Sequence, residues 1–176
     1  MQTKRLFFAL LPEQGIRQQL IETSKMFPTV KGVRPVSNDN LHATLLFLGN
    51  IDENAYKCLE KKVFQTYIQP FKLRLNLYGY FKVPQLTWLG SSSCPTELKR
   101  LVNHLKSIAL QCGVTLNDQP YRPHVTLFRK VQKAEFPDKL FDINWNVTEF
   151  HLLESVSQEN TTIYNKLMTY QLSEQE

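Results

Sequence analysis

Apolar and polar positions repeat along this chain at two different periods, that of a strand and that of a helix. An apolar run over residues 4–11 predicts a first strand, and Pro12 then opens an amphipathic stretch that predicts a helix. A second apolar run over residues 41–48 predicts a buried strand, and Asp52 is placed to cap the next helix. The inner positions of these helices are Ile16, Leu20 and Phe27 in the first and Ala55, Leu59 and Val63 in the second.

The second half of the chain repeats this order. Apolar positions after Pro95 follow the i, i+3, i+4, i+7 spacing of a helix, and Gly113 stands where that helix should end. Its inner face consists of Leu98, Leu101, Val102, Leu105, Ile108, Ala109 and Cys112. The strands predicted in this half cover residues 71–77, 86–89, 124–128, 145–153 and 162–172. With about three helices and seven or eight strands, the pattern predicts an α+β fold.

One tetrapeptide pattern occurs twice. His42-Ala43-Thr44-Leu45 and His124-Val125-Thr126-Leu127 share the pattern His-x-Thr-Leu, and they lie close to half a chain length apart. Each follows a predicted strand and helix. The repeat therefore predicts a single domain over residues 1–176, built from two pseudo-symmetric lobes that face each other across a cleft.

Composition and charge narrow the function classes only slightly. A formal net charge of +5 favours an anionic partner such as nucleic acid. The apolar run before Pro12 is too short for a signal peptide or a membrane span, which predicts a cytoplasmic protein without membrane contact. We expect it to act as a monomer.

The cysteine pattern gives no sign of a disulfide framework or a structural zinc site. Cys58, Cys94 and Cys112 are odd in number and form no Cys-x-x-Cys pair. We therefore predict three reduced thiols, with Cys58 and Cys112 as small core residues of helices.

The repeated motif carries the candidate chemistry. Residues i and i+2 of a strand share a face, so each lobe presents an imidazole beside a hydroxyl, His42 with Thr44 and His124 with Thr126. Phosphoester cleavage needs one imidazole to accept a proton and one imidazolium to donate a proton, while hydroxyls can hold phosphate oxygens. At ordinary pKa values near 6.5, this pair predicts a bell-shaped rate profile between roughly pH 6 and 8.

Other readings of these histidines are weaker. A lone histidine in a strand is more often structural, and we expect that of His104 and His151, which lie outside the repeat. There is no His-x-His or His-x-x-x-His pair and no Asp or Glu beside either motif, so we predict no metal. The sequence also lacks the Gly-x-Ser-x-Gly pattern of a serine nucleophile.

The longer motifs His-x-Thr-x-x-Phe and His-x-Thr-x-x-Arg are met by His42, Thr44 and Phe47 and by His124, Thr126 and Arg129. Further matches are Arg5–Ala9, Trp88–Gly90 and Phe150–Ser155. In these residues the chain resembles the two-histidine phosphoesterase superfamily, and within it the RNA 2',3'-cyclic phosphodiesterases, also called 2'-5' RNA ligases.

The resemblance implies a duplicated, bilobal fold in which two antiparallel β-sheets line a central cleft and the helices lie outside. It implies that His42 is the general acid toward the ribose O3' and His124 the general base for water. Thr44, Thr126 and Arg129 would hold the phosphate, and Phe47 would stack on the terminal base. The implied substrates are RNA ends or small cyclic nucleotides, the product is a 2'-phosphate, and no cofactor is needed.

Two features separate this chain from a simple match. By strand parity Phe47 and Arg129, each five residues after its histidine, should face away from it, so their implied roles require a bulge. Pro35 stands where relatives commonly carry Trp, and Thr161-Thr162-Ile163-Tyr164 lacks the Gly that often precedes the late Tyr.

Two other functions remain open at this stage. The same residues would serve a 2',5'-phosphodiesterase, or a reversible 2'-5' RNA ligase, acting on short oligonucleotides. A module that binds nucleotides without turnover is the alternative from a different class, although it would not need two proton carriers.

Overall fold

Three α-helices and ten strands make up the part of the chain that the computed structural model describes, residues 3–117, 119–159 and 161–173. The helices are α1 (Gln14–Ser24), α2 (Glu53–Val63) and α3 (Thr96–Gln111). The strands are β1 (Lys4–Leu10), β2 (Arg34–Pro35), β3 (Ala43–Ile51), β4 (Phe71–Leu75), β5 (Leu77–Phe81), β6 (Leu86–Gly90), β7 (His124–Arg129), β8 (Ile143–Val147), β9 (Glu149–Gln158) and β10 (Thr161–Gln171).

Antiparallel pairing joins the strands of both halves. The main sheet has the order β10-β9-β1-β3-β7-β6-β5, with β2 added to β7, and β4 pairs with β8 in a separate two-stranded sheet. The two strands that carry the repeated motif, β3 and β7, pair at one position, Ala43 opposite Val125, and this pair joins the two lobes. The predicted α+β class, with antiparallel sheets and three helices, is confirmed.

The two faces of the main sheet bury different amounts of apolar surface. Leu6, Phe8 and Leu10 of β1 are fully buried in the large core, which also takes the inner face of α3. Phe7 and Ala9 point the other way, into a small cluster with Leu153. Since successive strand residues alternate between faces, β1 separates the core from this second face.

The predicted helix ends are confirmed where the sequence carries a capping residue. The Asp52 carboxylate accepts a 2.8 Å hydrogen bond from the Ala55 N–H at the start of α2. Gly113 takes a φ of +77° just past α3, and its N–H donates to the Leu110 carbonyl at 3.0 Å. None of the helices in the described ranges is long and apolar enough to cross a bilayer.

The same leucine of each repeat is an extra residue in its strand. In β3, Thr44 lies opposite Ala9 and Leu46 opposite Phe8, which leaves Leu45 without a partner across the ladder. In β7, Thr126 lies opposite Trp88 and Phe128 opposite Thr87, which leaves Leu127 in that position.

These bulges reset the strand parity. Phe47 lies opposite Phe7, and Thr44 lies opposite Ala9. Because Phe7 and Ala9 share one face of β1, Phe47 and Thr44 share the same face of the sheet. Arg129 lies opposite Leu86, and Thr126 lies opposite Trp88. Because Leu86 and Trp88 share one face of β6, Arg129 and Thr126 also share a face. Phe47 and Arg129 are therefore on the same face as the threonines, which is the placement that their implied roles require.

The strands differ from the prediction in three places, of which the first is β2, a two-residue strand that was not predicted. The strand β5 was not predicted because Gly79 interrupts its apolar pattern. The fold requires glycine at this position, since a side chain there would collide with the indole of Trp88. The single strand predicted over residues 145–153 is two strands, because β8 pairs with β4 whereas β9 pairs with β1 and β10.

The prediction that Cys58 and Cys112 are reduced thiols was also wrong. They form a disulfide with a Cα–Cα distance of 5.6 Å, and Cys94 is the free cysteine. Cys58 is in α2 and Cys112 directly follows α3, and these helices pack side by side. The pairing depends on helix packing, which the odd number of cysteines in the sequence does not reveal.

We expect Gly79→Ala to lower the free energy of unfolding by about 1–3 kcal/mol, because the added methyl group overlaps the Trp88 indole. Urea denaturation of the purified proteins measures the difference. The matched control is Gly15→Ala in α1, where the methyl meets nothing within 4 Å and should leave stability equal or slightly higher. Equal stability of Gly79→Ala and the unsubstituted protein would contradict the close packing of Trp88 at this glycine.

Candidate active site

The two motif histidines lie on either side of the pair that joins the lobes. Ala43 and Val125 are fully buried and oppose each other, so the residues flanking them face the other side of the sheet. His42 and His124 immediately precede them and occupy diagonal positions of this antiparallel pair. The Cα atoms of residues at such diagonal positions are roughly 7–8 Å apart, and a phosphate can fit between the two side chains.

Both imidazole rings are held in the same way. His42 Nδ1 lies 2.6 Å from the Asn40 carbonyl, and His124 Nδ1 lies 2.7 Å from the Arg122 carbonyl, each two residues earlier in the chain. Because a carbonyl only accepts, each Nδ1 carries the proton and each Nε2 is left to exchange protons. The Thr44 hydroxyl lies 3.1 Å from His42 Nε2 and can donate to it in the neutral ring.

Aromatic side chains enclose each histidine. Phe7 and Tyr164 lie against His42 with ring centroids 5.2 and 5.0 Å away. Phe81 and Trp88 lie against His124 at 5.2 and 5.8 Å. Each imidazole thus lies against two aromatic rings, and both histidines are only partly accessible to water.

This enclosure sets the charge state of the pair. Burial lowers the pKa of His42 to about 4, helped by the positive charge of Arg129 and opposed by the Asn40 carbonyl. Burial also lowers the pKa of His124. The ordinary value near 6.5 expected from the sequence does not hold, and both rings are neutral in the free protein at pH 7.

Two adjoining cavities open beside the histidines. The larger, about 560 Å³, is lined by His42 and Arg129, and the smaller, about 480 Å³, by His124. Thr44 and Phe47 line both cavities, so they form the boundary between them. The half-buried Thr126 is on the same face by register.

The aromatic ring predicted to stack on a base is accessible. Phe47 is 47% exposed, and the Arg5 guanidinium lies 5.1 Å from its ring centroid. A base can therefore stack on Phe47 beside a cation that already covers part of the ring.

Several residues that line the site were not singled out from the sequence. They are Arg34, Asn40, Phe81, Arg122 and Tyr164. Arg34 and Tyr164 lie beside the sequence departures at Pro35 and Thr161–Thr162, and those residues line the larger cavity too. The departures were thus a signal of the cavity wall, although they did not reveal which residues face it.

The other two histidines lie outside both cavities. His151 is 1% exposed, with Nδ1 3.0 Å from the Thr169 hydroxyl and Nε2 3.4 Å from Glu149 Oε1. His104 is on α3. Within the described ranges no three His, Cys, Asp or Glu residues are grouped as metal ligands would be.

The fold and the paired motifs match a known superfamily. The sequence profile of the 2'-5' RNA ligase superfamily matches residues 12–159, and the chain belongs to this superfamily.

Individual relatives cover almost the whole chain. An RNA 2',3'-cyclic phosphodiesterase of Escherichia coli is 35% identical over 97% of this chain and 98% of its own length. One from Archaeoglobus fulgidus is 29% identical over 95% of this chain and 99% of its own length. The crystal structure of E. coli LigT complexed with 3'-AMP superposes with a TM-score of 0.91 at 32% identity, covering 98% of this chain and all of that one (100%).

We expect the His42 imidazole of the free protein to titrate near pH 4 in an NMR experiment that follows its ring proton. Arg129→Gln should raise this pKa, because it removes a positive charge that disfavours the imidazolium. The control is Arg74→Gln, whose guanidinium is paired with Asp142 and should not affect His42. Titration of His42 near pH 6.5 would show that burial does not set its charge.

Proposed function

We propose that this protein hydrolyses the terminal 2',3'-cyclic phosphate of RNA to a 2'-phosphate. The observation that carries the proposal is the pair of similarly held imidazoles, His42 and His124, on either side of the junction between the lobes. The names of the relatives support the choice of substrate. The proposal includes a monomeric enzyme that works in the cytoplasm without a metal or cofactor.

The cavities support a division of labour between the histidines. In-line displacement places the attacking water and the leaving O3' on opposite sides of phosphorus. The larger cavity, on the His42 side, has three arginines in its wall and suits the nucleotide. The smaller cavity, beside His124, has two cations in its wall, Lys106 and Arg122. We therefore assign His42 as the general acid for O3' and His124 as the general base for water.

The hydrolysis then balances without a further reactant. His124 Nε2 takes a proton from water as the new P–O bond forms, and the His42 imidazolium gives its proton to O3' as the P–O3' bond breaks. The ester to O2' is retained. Thr44, Thr126 and Arg129 stabilise the charge on the non-bridging oxygens, and Phe47 stacks on the terminal base.

The acid is charged only when the substrate is bound, and His42 then takes its proton from solvent. His42 is neutral in the free protein at pH 7, so an anionic phosphate beside Nε2 has to favour the imidazolium before it can act. The phosphate also offsets the positive charge of Arg129, which otherwise lowers the pKa of His42.

We expect the protein to convert an RNA with a 2',3'-cyclic phosphate end to a 2'-phosphate end at the same rate with and without excess chelator. Mass spectrometry detects the added water, and comparison with synthetic 2'-phosphate and 3'-phosphate standards by liquid chromatography identifies the end. His42→Ala and His124→Ala should each lower kcat by about 10²–10⁴-fold, because each removes one proton transfer. The control His104→Ala changes a histidine outside both cavities. Binding of the RNA without turnover would favour the binding-module alternative.

We expect a substrate with a far better leaving group in place of O3' to separate the two roles. Such a group departs without protonation, so His42→Ala should recover much of its rate while His124→Ala stays slow. Single-turnover rates on the two substrates measure the recovery. Recovery by His124→Ala alone would mean that the acid and the base are exchanged.

A further inference from the structure

The larger cavity carries more positive charge than one cyclic phosphate needs. Arg5, Arg34 and Arg129 all line it, and its wall contains no Asp or Glu. The cyclic phosphate of an RNA end is a diester with a single negative charge. Arg129 is the arginine on the strand that carries His124 and Thr126, which leaves Arg5 and Arg34 without an assigned anion.

Arg34 is held next to Arg129 by strand pairing. The two-residue strand β2 runs antiparallel to β7, with Arg34 opposite Arg129 and Pro35 opposite Phe128. Residues in such a pair have Cβ atoms roughly 4.5–5.5 Å apart on one face, and like charges there destabilise a sheet. A pair of this kind at a cavity wall suits two neighbouring anions.

The arginines of the cavity differ from others in the chain. Arg17 and Arg74 are paired with Asp39 and Asp142. Across the described ranges, Arg34 and Arg129 take part in no ion pair with a carboxylate. Their charge is therefore available to a ligand.

The remaining wall also suits a nucleotide chain. Hydroxyl and amide groups surround the arginines, and the exposed ring of Phe47 forms the boundary with the smaller cavity. Besides Thr44 and Tyr164, these polar residues are Ser37, Asn40, Ser155, Ser157, Thr161 and Thr162. A positive groove with an aromatic platform is the arrangement by which proteins follow single-stranded nucleic acid.

We propose, on the basis of the function proposed above, that Arg34 binds the phosphodiester on the 5' side of the terminal nucleotide. The preferred substrate is then an RNA chain of two or more nucleotides and not a free cyclic mononucleotide. Arg5, stacked on Phe47, keeps that ring in place for the terminal base.

The test compares a dinucleotide ending in a 2',3'-cyclic phosphate with the matching mononucleoside 2',3'-cyclic phosphate. Arg34→Ala should lower the ratio of kcat/KM for the dinucleotide to kcat/KM for the mononucleotide roughly 10-fold, mainly through KM, because only the dinucleotide has the second phosphate. Arg34→Lys should restore part of this ratio. The control Arg100→Ala removes an exposed cation on α3 and should leave the ratio unchanged.

Equilibrium binding gives a readout that does not depend on turnover. The affinity for a fluorescent single-stranded RNA should fall with salt, and Arg34→Ala should reduce the slope of log K against log salt by about 0.7, the value for one phosphate contact. An unchanged kcat/KM ratio or an unchanged slope overturns the role of Arg34. If no cyclic phosphate is hydrolysed but Arg34→Ala still reduces the slope, the proposed function fails and the RNA contact stands.

Discussion

The geometry of the site depends on one strand pair, the contact between Ala43 of β3 and Val125 of β7. Both side chains are fully buried in the large core, so a slip of either strand by one residue would expose them. A slip of β3 would turn His42 into the core, and a slip of β7 would do the same to His124. Core packing therefore fixes the register of the two lobes, and with it the face on which both imidazoles lie. The pair also explains why a duplicated motif can form one site, since each copy supplies one half of the junction.

Each bulge allows its strand to place one more side chain in the cleft. Leu45 and Leu127, the bulged residues, are each 2% exposed. Burial of their side chains in the core offsets the ladder hydrogen bonds that each bulge interrupts. After the bulge, the strand returns a second residue to the cleft face, five positions after the histidine. That residue is Phe47 in one lobe and Arg129 in the other. The repeat is therefore symmetric in backbone and asymmetric in chemistry, with a ring on one side and a cation on the other.

The sequence was a good guide where the signal is local. Asp52 and Gly113 mark helix ends by their own backbone preferences, and the His-x-Thr pairs share a face through strand alternation alone. It was a poor guide where two distant segments decide the outcome. The disulfide needs α2 beside α3, and the strand β5 needs Gly79 to admit Trp88. The sequence did not identify Arg34 as a site residue because a two-residue strand has no periodicity. The pairing of β2 with β7 brings Arg34 beside Arg129. The depressed pKa of His42 likewise depends on rings from β1 and β10.

Burial and charge act on the same proton in this site. The aromatic enclosure favours neutral imidazoles, and Arg129 further disfavours a charged His42, so the free protein holds a base without an acid. An anion between the rings changes both effects, because it attracts the imidazolium directly and neutralises the guanidinium. The proton that leaves with O3' is then taken up only when a phosphate occupies the site. A neutral ligand of the same shape would fill the cleft but leave His42 uncharged, so selection for an anion operates on the chemical step as well as on binding.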